Sequence, residues 1–199
     1  MINVTEQVLR LRPLIVLLTT CFWLMIATSR TSSMIDGKAY GFAGNSRQQV
    51  AQGLFRLSVI GALGALIGYA AEIRWPILRP VAELEWLHAV GLALALAGQF
   101  LTVFAQSSMG RRWRVGVPSA APDALVTQGL FGVSRNPVFL GMLAMALGLA
   151  LAVPSIAMIV CATAFWLACE IQVRDEERFL ESAFTDQYVA YRSRVRRWF

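Results

Sequence analysis

The sequence predicts an all-α fold, a polytopic membrane helix bundle of about five transmembrane helices with an amphipathic helix at its carboxyl end. Two observations favour this fold class. Only 15% of the 199 residues are charged, whereas soluble domains average about 25%, and 57% are hydrophobic. The apolar residues also fall in long blocks rather than at amphipathic spacing, which is typical of membrane spans.

Five apolar blocks are candidates for these spans. They cover residues 13–29, 54–71, 86–105, 137–152 and 155–171. The fourth block is short: a helix of its length covers about 24 Å, while the hydrocarbon core is about 30 Å thick. We therefore expect this helix to stop short or to pack inside the bundle. The segments 31–52 and 106–136 are polar and are predicted to be loops.

Small residues predict how the spans pack. Gly61, Gly64 and Gly68 place one small face on the second span, and a similar stripe lies on the fifth. The members of that stripe are Ala157, Cys161, Ala164 and Ala168. Gln99 lies deep in the third span, where we expect a hydrogen bond between helices. His88 lies in the first turn of that span, where an interfacial position satisfies it without a function.

The basic residues predict the orientation. With five spans, fourteen of the eighteen Lys and Arg residues fall on the side of the carboxyl terminus and four on the other side. The positive-inside rule then places the carboxyl terminus, with its amphipathic helix, in the cytosol. We expect a multi-pass integral protein of a bacterial inner (cytoplasmic) membrane.

Charge and cysteine usage argue against several other classes. The net charge is +6, but the basic residues lie between apolar blocks, which indicates contact with anionic lipid headgroups rather than nucleic acid. Cys21, Cys161 and Cys169 lie in apolar segments without metal-ligand spacing, so we interpret them as packing residues. We expect no metal site.

Two polar clusters stand out from this background. The first ends the Gly-bearing stretch Leu125 to Phe139, and the second runs from Arg174 to Arg178. The helical hairpin predicted between them, 137–171, would return both clusters to one membrane face. We expect a single domain over 1–199, in which 1–105 forms a three-helix membrane part and 106–199 carries the site.

The residue types in these clusters permit binding chemistry. Arg135 precedes a helix opened by Pro137, and free backbone N–H groups with a guanidinium suit an anionic group. Glu170, Arg174 and Glu177 share one helical face, with Glu176 beside it, so their carboxylates could hold a cation or hydroxyl groups. Ordinary solvated charges at a helix end are the alternative.

The tail, residues 172–199, is charged and amphipathic. Its apolar residues recur at helical spacing, so a helix lying on the membrane or capping the bundle fits. These residues are Phe179, Leu180, Phe184, Tyr188 and Tyr191. We expect Arg196 and Arg197, near the end of the tail, to act mainly by attracting anionic lipid.

Several motifs in the last ninety residues resemble those of the isoprenylcysteine carboxyl methyltransferase family. The stretch 125–131 is similar to its L-V-T-x-G-x-[YF] motif, and 135–141 to its R-H-P-x-Y-x-G motif. Residues 176–191 are similar to its E-E-x-x-L-x-x-x-F-x-x-x-Y-x-x-Y pattern, and Gly110 and Trp113 to its G-x-x-W element.

The resemblance implies a membrane-embedded methyltransferase that uses S-adenosylmethionine at the cytosolic end of its last helices. The methyl acceptor would be lipophilic or small, and a lipophilic acceptor would reach the site through the bilayer. Arg135, Glu176 and Glu177 would be the catalytic residues, with Arg135 binding a carboxylate. The cofactor-binding residues implied are Leu125, Val126, Gly129, Phe131, Arg135, Asn136, Pro137, Phe139, Glu176 and Glu177.

Two departures from the family pattern leave the acceptor open. Asn136 stands where the family has His, and Phe139 where it has Tyr. Asn keeps hydrogen-bonding capacity but does not titrate near neutral pH. An isoprenylcysteine-type carboxylate, a phospholipid amine and a small thiol all stay possible acceptors. A membrane sterol-type reductase using NADPH and a non-catalytic scaffold are the other interpretations.

Overall fold

A computed structural model describes residues 4–35, 39, 46–82, 84–117 and 123–199. Within these residues the chain forms five α-helices and two short 3-10 turns. The helices are α1 (Val4–Met34), α2 (Ser46–Ala70), α3 (Glu85–Met109), α4 (Pro137–Ala152) and α5 (Ile156–Arg194). The turns are Gly110–Arg112 and Gly129–Gly132. The predicted all-helical bundle is confirmed.

Four helices, all except α4, are long and apolar enough to cross a membrane. The chain is thus an integral membrane helix bundle. The predicted loop 31–52 was too long, because α1 continues to Met34 and α2 already begins at Ser46. Likewise α3 runs on to Met109. The polar residues at the end of a span stay helical because the helix satisfies their backbone hydrogen bonds. Composition alone does not reveal how far such a helix continues.

α4 has the predicted bounds. Pro137 occupies its first turn, where the missing N–H costs nothing, and Val153 ends it. Ser155 then caps α5, because its hydroxyl accepts a hydrogen bond from the backbone N–H of Met158 at 3.3 Å. α5 is a single helix into the tail as far as Thr185, where a positive φ of 42° kinks it and redirects the last turns.

The helices alternate in direction, so their ends collect at two poles. At one pole His88 Nδ1 donates to the carbonyl oxygen of Ala152 at 2.9 Å, which ties the start of α3 to the end of α4. At the other, Trp23 Nε1 donates to Gln106 Oε1 at 3.0 Å, and Gln48 Nε2 to Asp175 Oδ2 at 2.7 Å. The two polar clusters lie at this second pole, which confirms that the α4–α5 hairpin returns them to one face.

The tightest helix pair, α3 and α4, is built on glycine. A Cβ added to Gly141 would lie 2.6 Å from the backbone nitrogen of Thr102, and one added to Gly91 would lie 2.7 Å from the carbonyl oxygen of Gly148. Only glycine permits such an approach of two backbones. α4 thus packs mainly on α3 rather than on its hairpin partner α5.

The predicted small-residue contacts are partly confirmed. A Cβ on Gly61 would lie 2.8 Å from Cys161 Sγ, so α2 and α5 do approach closely there. A Cβ on Gly64 would have no neighbouring atom within 4 Å among the described residues. Three residues turn a helix by about 300°, which points Gly64 roughly 60° away from Gly61. Gln99 makes the expected contact between helices, since its Nε2 donates to Thr19 Oγ1 at 2.7 Å.

Candidate functional site

The site rests on a backbone junction between the 123–136 loop and the end of the chain. The N–H of Arg135 donates to the carbonyl oxygen of Arg196 at 2.9 Å, and Ser134 Oγ donates to that of Arg197 at 3.1 Å. The kink at Thr185 turns the tail back far enough to make this pairing. The last residues of the chain thereby become part of the site.

Glu177 is the centre of the charged network at this junction. Its carboxylate accepts a hydrogen bond from Arg135 Nη2 at 2.9 Å and another from Arg197 Nη2 at 2.7 Å. Asn136 Nδ2 donates to the same carboxylate at 3.3 Å. Two arginines therefore share one carboxylate, and the side chains of Arg135 and Glu177 are both largely buried, at 9% and 11% exposure.

The pKa of Glu177 follows from this arrangement. Burial alone would raise it, but the hydrogen bonds from Arg197 and Arg135 outweigh burial and hold the pKa below its ordinary value. Hydrogen bonding to Glu177 likewise raises the pKa of Arg197. Glu177 and Arg197 are thus both charged at neutral pH.

The preceding residue, Glu176, has the opposite environment. It is half-buried and carries no salt bridge among the described residues. Burial, followed by the negative charge of Glu177, raises its pKa to about 7. Adjacent carboxylates therefore differ sharply: one stays ionised, while the other exchanges its proton near neutral pH.

A narrow pocket of about 70 Å³ lies against this network. Seven of the ten predicted cofactor-binding residues line it: Leu125, Val126, Phe131, Arg135, Asn136, Glu176 and Glu177. Three do not. Gly129 forms the adjoining turn with a φ of 62°, Pro137 begins α4, and Phe139 faces a different cavity.

That second cavity is large, about 560 Å³, and almost entirely apolar. Its walls come from α1, α2, α4, α5 and the segment after α3. Three residues line both the cavity and the pocket, and we call them the neck: Met109, Arg114 and Glu176. A smaller apolar crevice continues deeper into the bundle and shares Leu24, Phe55 and Met142 with the cavity. The pocket beside the charged network and the apolar cavity thus meet at two ionisable side chains, Arg114 and Glu176.

Residue-level reasoning missed several members of this site. Arg112 and Arg114 were counted only for orientation, and Tyr188 and Tyr191 only as motif positions, yet all four line the pocket. The tyrosines differ in bonding: Tyr191 OH donates to the carbonyl oxygen of Phe131 at 2.6 Å, whereas the buried Tyr188 OH has no partner within the described ranges. The motif spacing of the tyrosines was the available signal.

The interpretation of Arg197 as a lipid-attracting tail residue was wrong. Arg197 bonds Glu177 through two nitrogens, whereas its neighbour Arg196 is exposed. Pairing with Glu177 stabilises Arg197 more than a screened headgroup contact would, because the carboxylate is already largely removed from water. The sequence offered no signal for this contact, since twenty residues and a kink separate the partners.

Comparison with known proteins identifies the family. The family model described as phospholipid methyltransferase matches residues 86–187, which is α3 through most of α5. The chain belongs to the phospholipid methyltransferase family. The match includes the loop, the hairpin and the Glu176–Glu177 pair, and therefore most of the pocket described above.

Curated proteins that are similar to this chain are also methyltransferases. Protein-S-isoprenylcysteine O-methyltransferase of Rattus norvegicus is 29% identical over 140 residues, covering 68% of this chain and 48% of the relative, and the Mus musculus protein gives the same figures. Protein-S-isoprenylcysteine O-methyltransferase B of Arabidopsis thaliana is 27% identical over 113 residues, covering 55% and 57%. The chain spans about half the length of these relatives. The resemblance drawn from the motifs is confirmed.

Proposed function

We propose that this protein transfers the methyl group of S-adenosylmethionine to a lipophilic acceptor, with an S-isoprenylcysteine-type carboxylate as the first candidate. The neck carries the proposal: the pocket beside the charged network and a large apolar cavity meet at Met109, Arg114 and Glu176. An enzyme that joins a polar cofactor to an apolar acceptor needs these two compartments to touch at the reacting atoms.

The pocket has the chemistry to hold the cofactor. Leu125, Val126 and Phe131 offer apolar surface to an adenine ring. The hydroxyl of Tyr188, which has no partner among the described residues, is available to a polar group of the ligand. At about 70 Å³ the pocket is narrower than a nucleoside, so binding has to widen it. The 123–136 loop, which forms one wall, is the element expected to move.

Arg135 takes a positioning role in this proposal. Its guanidinium donates to Glu177 and also to the carbonyl oxygen of Val195 at 2.7 Å, so most of its donors are already used. It holds the loop and the chain end together. The ligand carboxylate that the sequence assigned to Arg135 is better matched by Arg114. Among the described residues its guanidinium donates only from Nη1, to the carbonyl oxygens of Arg111 and Trp113.

Little acid–base machinery is required. Bound S-adenosylmethionine supplies a methyl group already activated by the sulfonium charge. The chain's task is then to orient the acceptor and exclude water. Arg114 neutralises and positions a carboxylate at the neck, while Glu176, with a pKa of about 7, can be protonated beside it and so avoid repulsion.

The apolar cavity is the route for the acceptor. Met25 of α1 and Ile60 of α2 line the cavity and are also 60% and 66% exposed on the outside of the bundle. The mouth therefore lies between α1 and α2, facing lipid, and Phe139 and Met142 of α4 form the inner wall. Leu140 and Leu143 of the same helix are partly buried and do not line the cavity. Both parts of the predicted domain, 1–105 and 106–199, contribute to one site.

The other candidate functions rank lower. A phospholipid amine suits the name of the family model, and a small thiol would leave most of the cavity unused. The family match gives no support to a reductase using NADPH. Asn136 donates to Glu177 and is therefore part of the charged network. The replacement of the family's His by Asn136 thus changes this network and does not change a residue of the neck.

Cofactor binding is the deciding experiment. Isothermal titration of the detergent-purified protein should show binding of S-adenosylhomocysteine and none of NADPH. A methyl-transfer screen should then compare an S-prenylcysteine derivative, a phospholipid amine and a small thiol. Binding of NADPH alone would support the reductase, and turnover only with a water-soluble acceptor lacking a lipid group would rule out access from the bilayer.

A further inference from the structure

A cavity of about 270 Å³ lies at the pole away from the charged network, and three arginines line it. Arg10 comes from α1, and Arg74 and Arg79 come from the segment 71–82 that follows α2. In the predicted orientation only four of the eighteen Lys and Arg residues belong to this side of the membrane, and three of the four meet in this cavity. Charges that served topology alone would have no reason to converge, so the cavity is a candidate binding site.

The charges of the cavity wall are unbalanced. Glu72 is the one acidic side chain among the described wall residues, and its Oε1 lies 3.4 Å from Arg10 Nη1. Arg10 also pairs with Glu6 outside the cavity, at 3.1 Å, and is thus fully neutralised. Arg74 and Arg79 are exposed and form no salt bridge within the described ranges. Two positive charges therefore remain in the wall, and an anion from outside would neutralise them.

Hydrogen bonds to a neighbouring turn fix the backbone on both sides of Arg79. The N–H of Ala157 donates to the carbonyl oxygen of Ile77 at 3.0 Å. The N–H of Val81 donates to the carbonyl oxygen of Pro154 at 2.8 Å. The segment is thereby tied to the turn between α4 and α5. Because this backbone is already ordered, a ligand that binds here does not have to order it, which favours binding.

The surroundings of the cavity indicate its depth in the membrane. Trp75, Ile77 and Val81 are large apolar residues of the same segment, and all three are exposed. In a membrane protein, exposed tryptophan is typical of the headgroup level. Tyr69 and Leu78 add apolar surface to the wall of the cavity itself. The two unpaired arginines therefore lie at the level of lipid phosphates, beside apolar surface that can contact acyl chains.

We propose that this cavity binds the phosphate group of an anionic membrane lipid. A guanidinium donates paired hydrogen bonds to phosphate oxygens, and basic pockets between membrane helices bind anionic headgroups. Free inorganic phosphate has the same polar chemistry but has no acyl chains to contact Trp75 and Ile77. The cavity and the cofactor pocket share no lining residue. This inference therefore does not depend on the proposed methyl transfer.

Three ligands test the proposal: dioctanoyl phosphatidylglycerol, dioctanoyl phosphatidylcholine and inorganic phosphate. In calorimetric titration of the detergent-purified protein, the anionic lipid should bind about tenfold or more tightly than either of the others. Arg74→Gln and Arg79→Gln should each weaken its binding about fivefold, and the double variant about twenty-fivefold. Equal binding of the two lipids, or unchanged affinity in the double variant, would overturn the proposal.

Arg12→Gln is the matched control, because Arg12 is also exposed at this pole but does not line the cavity. It should leave the affinity for phosphatidylglycerol unchanged. A loss as large as that of Arg74→Gln would show attraction to the net charge of this face and would refute a defined site. Arg74→Gln and Arg79→Gln should keep the wild-type Tm without lipid, since neither side chain has a salt bridge to lose among the described residues.

Two further arms make the result decisive. If a glutamine variant does not fold, Arg74→Lys or Arg79→Lys replaces it. Lysine keeps the charge but loses the paired donors, so the lipid should still bind, more weakly than to wild type. Inorganic phosphate that bound as tightly as phosphatidylglycerol, with the same dependence on Arg74 and Arg79, would assign the cavity to the free anion and overturn the lipid as its occupant.

Discussion

Arg197 and Glu177 form a bidentate ion pair, with Nη2 of the arginine 2.7 Å from Oε2 and Nε 3.1 Å from Oε1 of the carboxylate. The pair joins the last turn of the chain to the middle of α5. Arg135 reaches the same carboxylate from the opposite loop. Both arginines share the negative charge of Glu177. Their hydrogen bonds to it therefore join the loop, the helix and the chain end.

The first prediction concerns this pair. Arg197→Ala should lower stability by about 1–2 kcal/mol, less than a fully buried pair because the guanidinium is 35% exposed. It should also weaken S-adenosylhomocysteine binding about tenfold by loosening the pocket wall. Thermal unfolding and titration calorimetry measure both effects. Arg196→Ala, at the neighbouring exposed arginine, should change neither, and equal effects of the two variants would refute this reading of the tail.

The second prediction compares the two tyrosines of the pocket. Tyr191→Phe should cost about 1–2 kcal/mol, because it leaves the carbonyl oxygen of Phe131 without its 2.6 Å hydrogen bond. Tyr188→Phe should leave stability unchanged, since its hydroxyl has no partner in the described residues, but should weaken cofactor binding. Unfolding curves with and without S-adenosylhomocysteine separate the cases. A stability loss in Tyr188→Phe with unaltered ligand affinity would remove Tyr188 from the site.

The third prediction is a pH dependence. Folding raises the pKa of Glu176 to about 7 from an ordinary value of 4.5, so the folded state binds this proton more tightly. The contribution of Glu176 to stability is therefore complete below pH 4.5 and is lost as the pH rises to about 7. Glu176→Gln keeps a neutral side chain, so its apparent Tm should exceed that of wild type at pH 8 and match it below pH 4.5. A difference independent of pH would contradict the raised pKa.

The pH dependence of stability has the opposite sign for Glu177, which therefore serves as the internal control. Its pKa is lowered in the folded state, so its contribution is complete above pH 4.5 and is lost as the pH falls below that value. Glu177→Gln should therefore be less stable than wild type at pH 7, and the difference should shrink in acid. The same scan of apparent Tm against pH measures both variants.

The fourth prediction tests the glycine contact of α3 and α4. Gly141→Ala should destabilise the bundle by about 1–3 kcal/mol, because its Cβ would lie 2.6 Å from both the backbone nitrogen and Oγ1 of Thr102. Gly64→Ala has no atom within 4 Å and should be neutral or slightly stabilising. Thermal unfolding in detergent compares them. If both variants behaved alike, α3 and α4 would not approach as closely as described.

The fifth prediction concerns orientation. With fourteen basic residues on one side and four on the other, the positive-inside rule predicts that the carboxyl terminus and the site lie in the cytosol. Reporter fusions at the two termini should give opposite locations, with the carboxyl-terminal reporter inside. Both reporters on one side would exclude a bundle in which all five helices cross.

Local pattern was enough for much of this architecture. Apolar blocks predicted the helices because transfer of side chains into lipid depends on composition over some twenty residues. Pro137 and Val153–Pro154 predicted α4 to the residue, because proline restricts the backbone around it whatever the rest of the chain does. Motif spacing also predicted that Arg135 and Glu177 share one face, since a hairpin of fixed length separates them.

Only the tertiary structure decided which residues of different helices contact one another. Arg197 meets Glu177 because Thr185 reverses the chain, and no local pattern marks that kink. Gly91 and Gly148 meet because α3 and α4 have one relative rotation among many that their apolar surfaces allow. The cavity and the neck arise where α1 and α2 leave space beside α5. Such features depend on the register and rotation of whole helices, which side-chain composition along one helix does not determine.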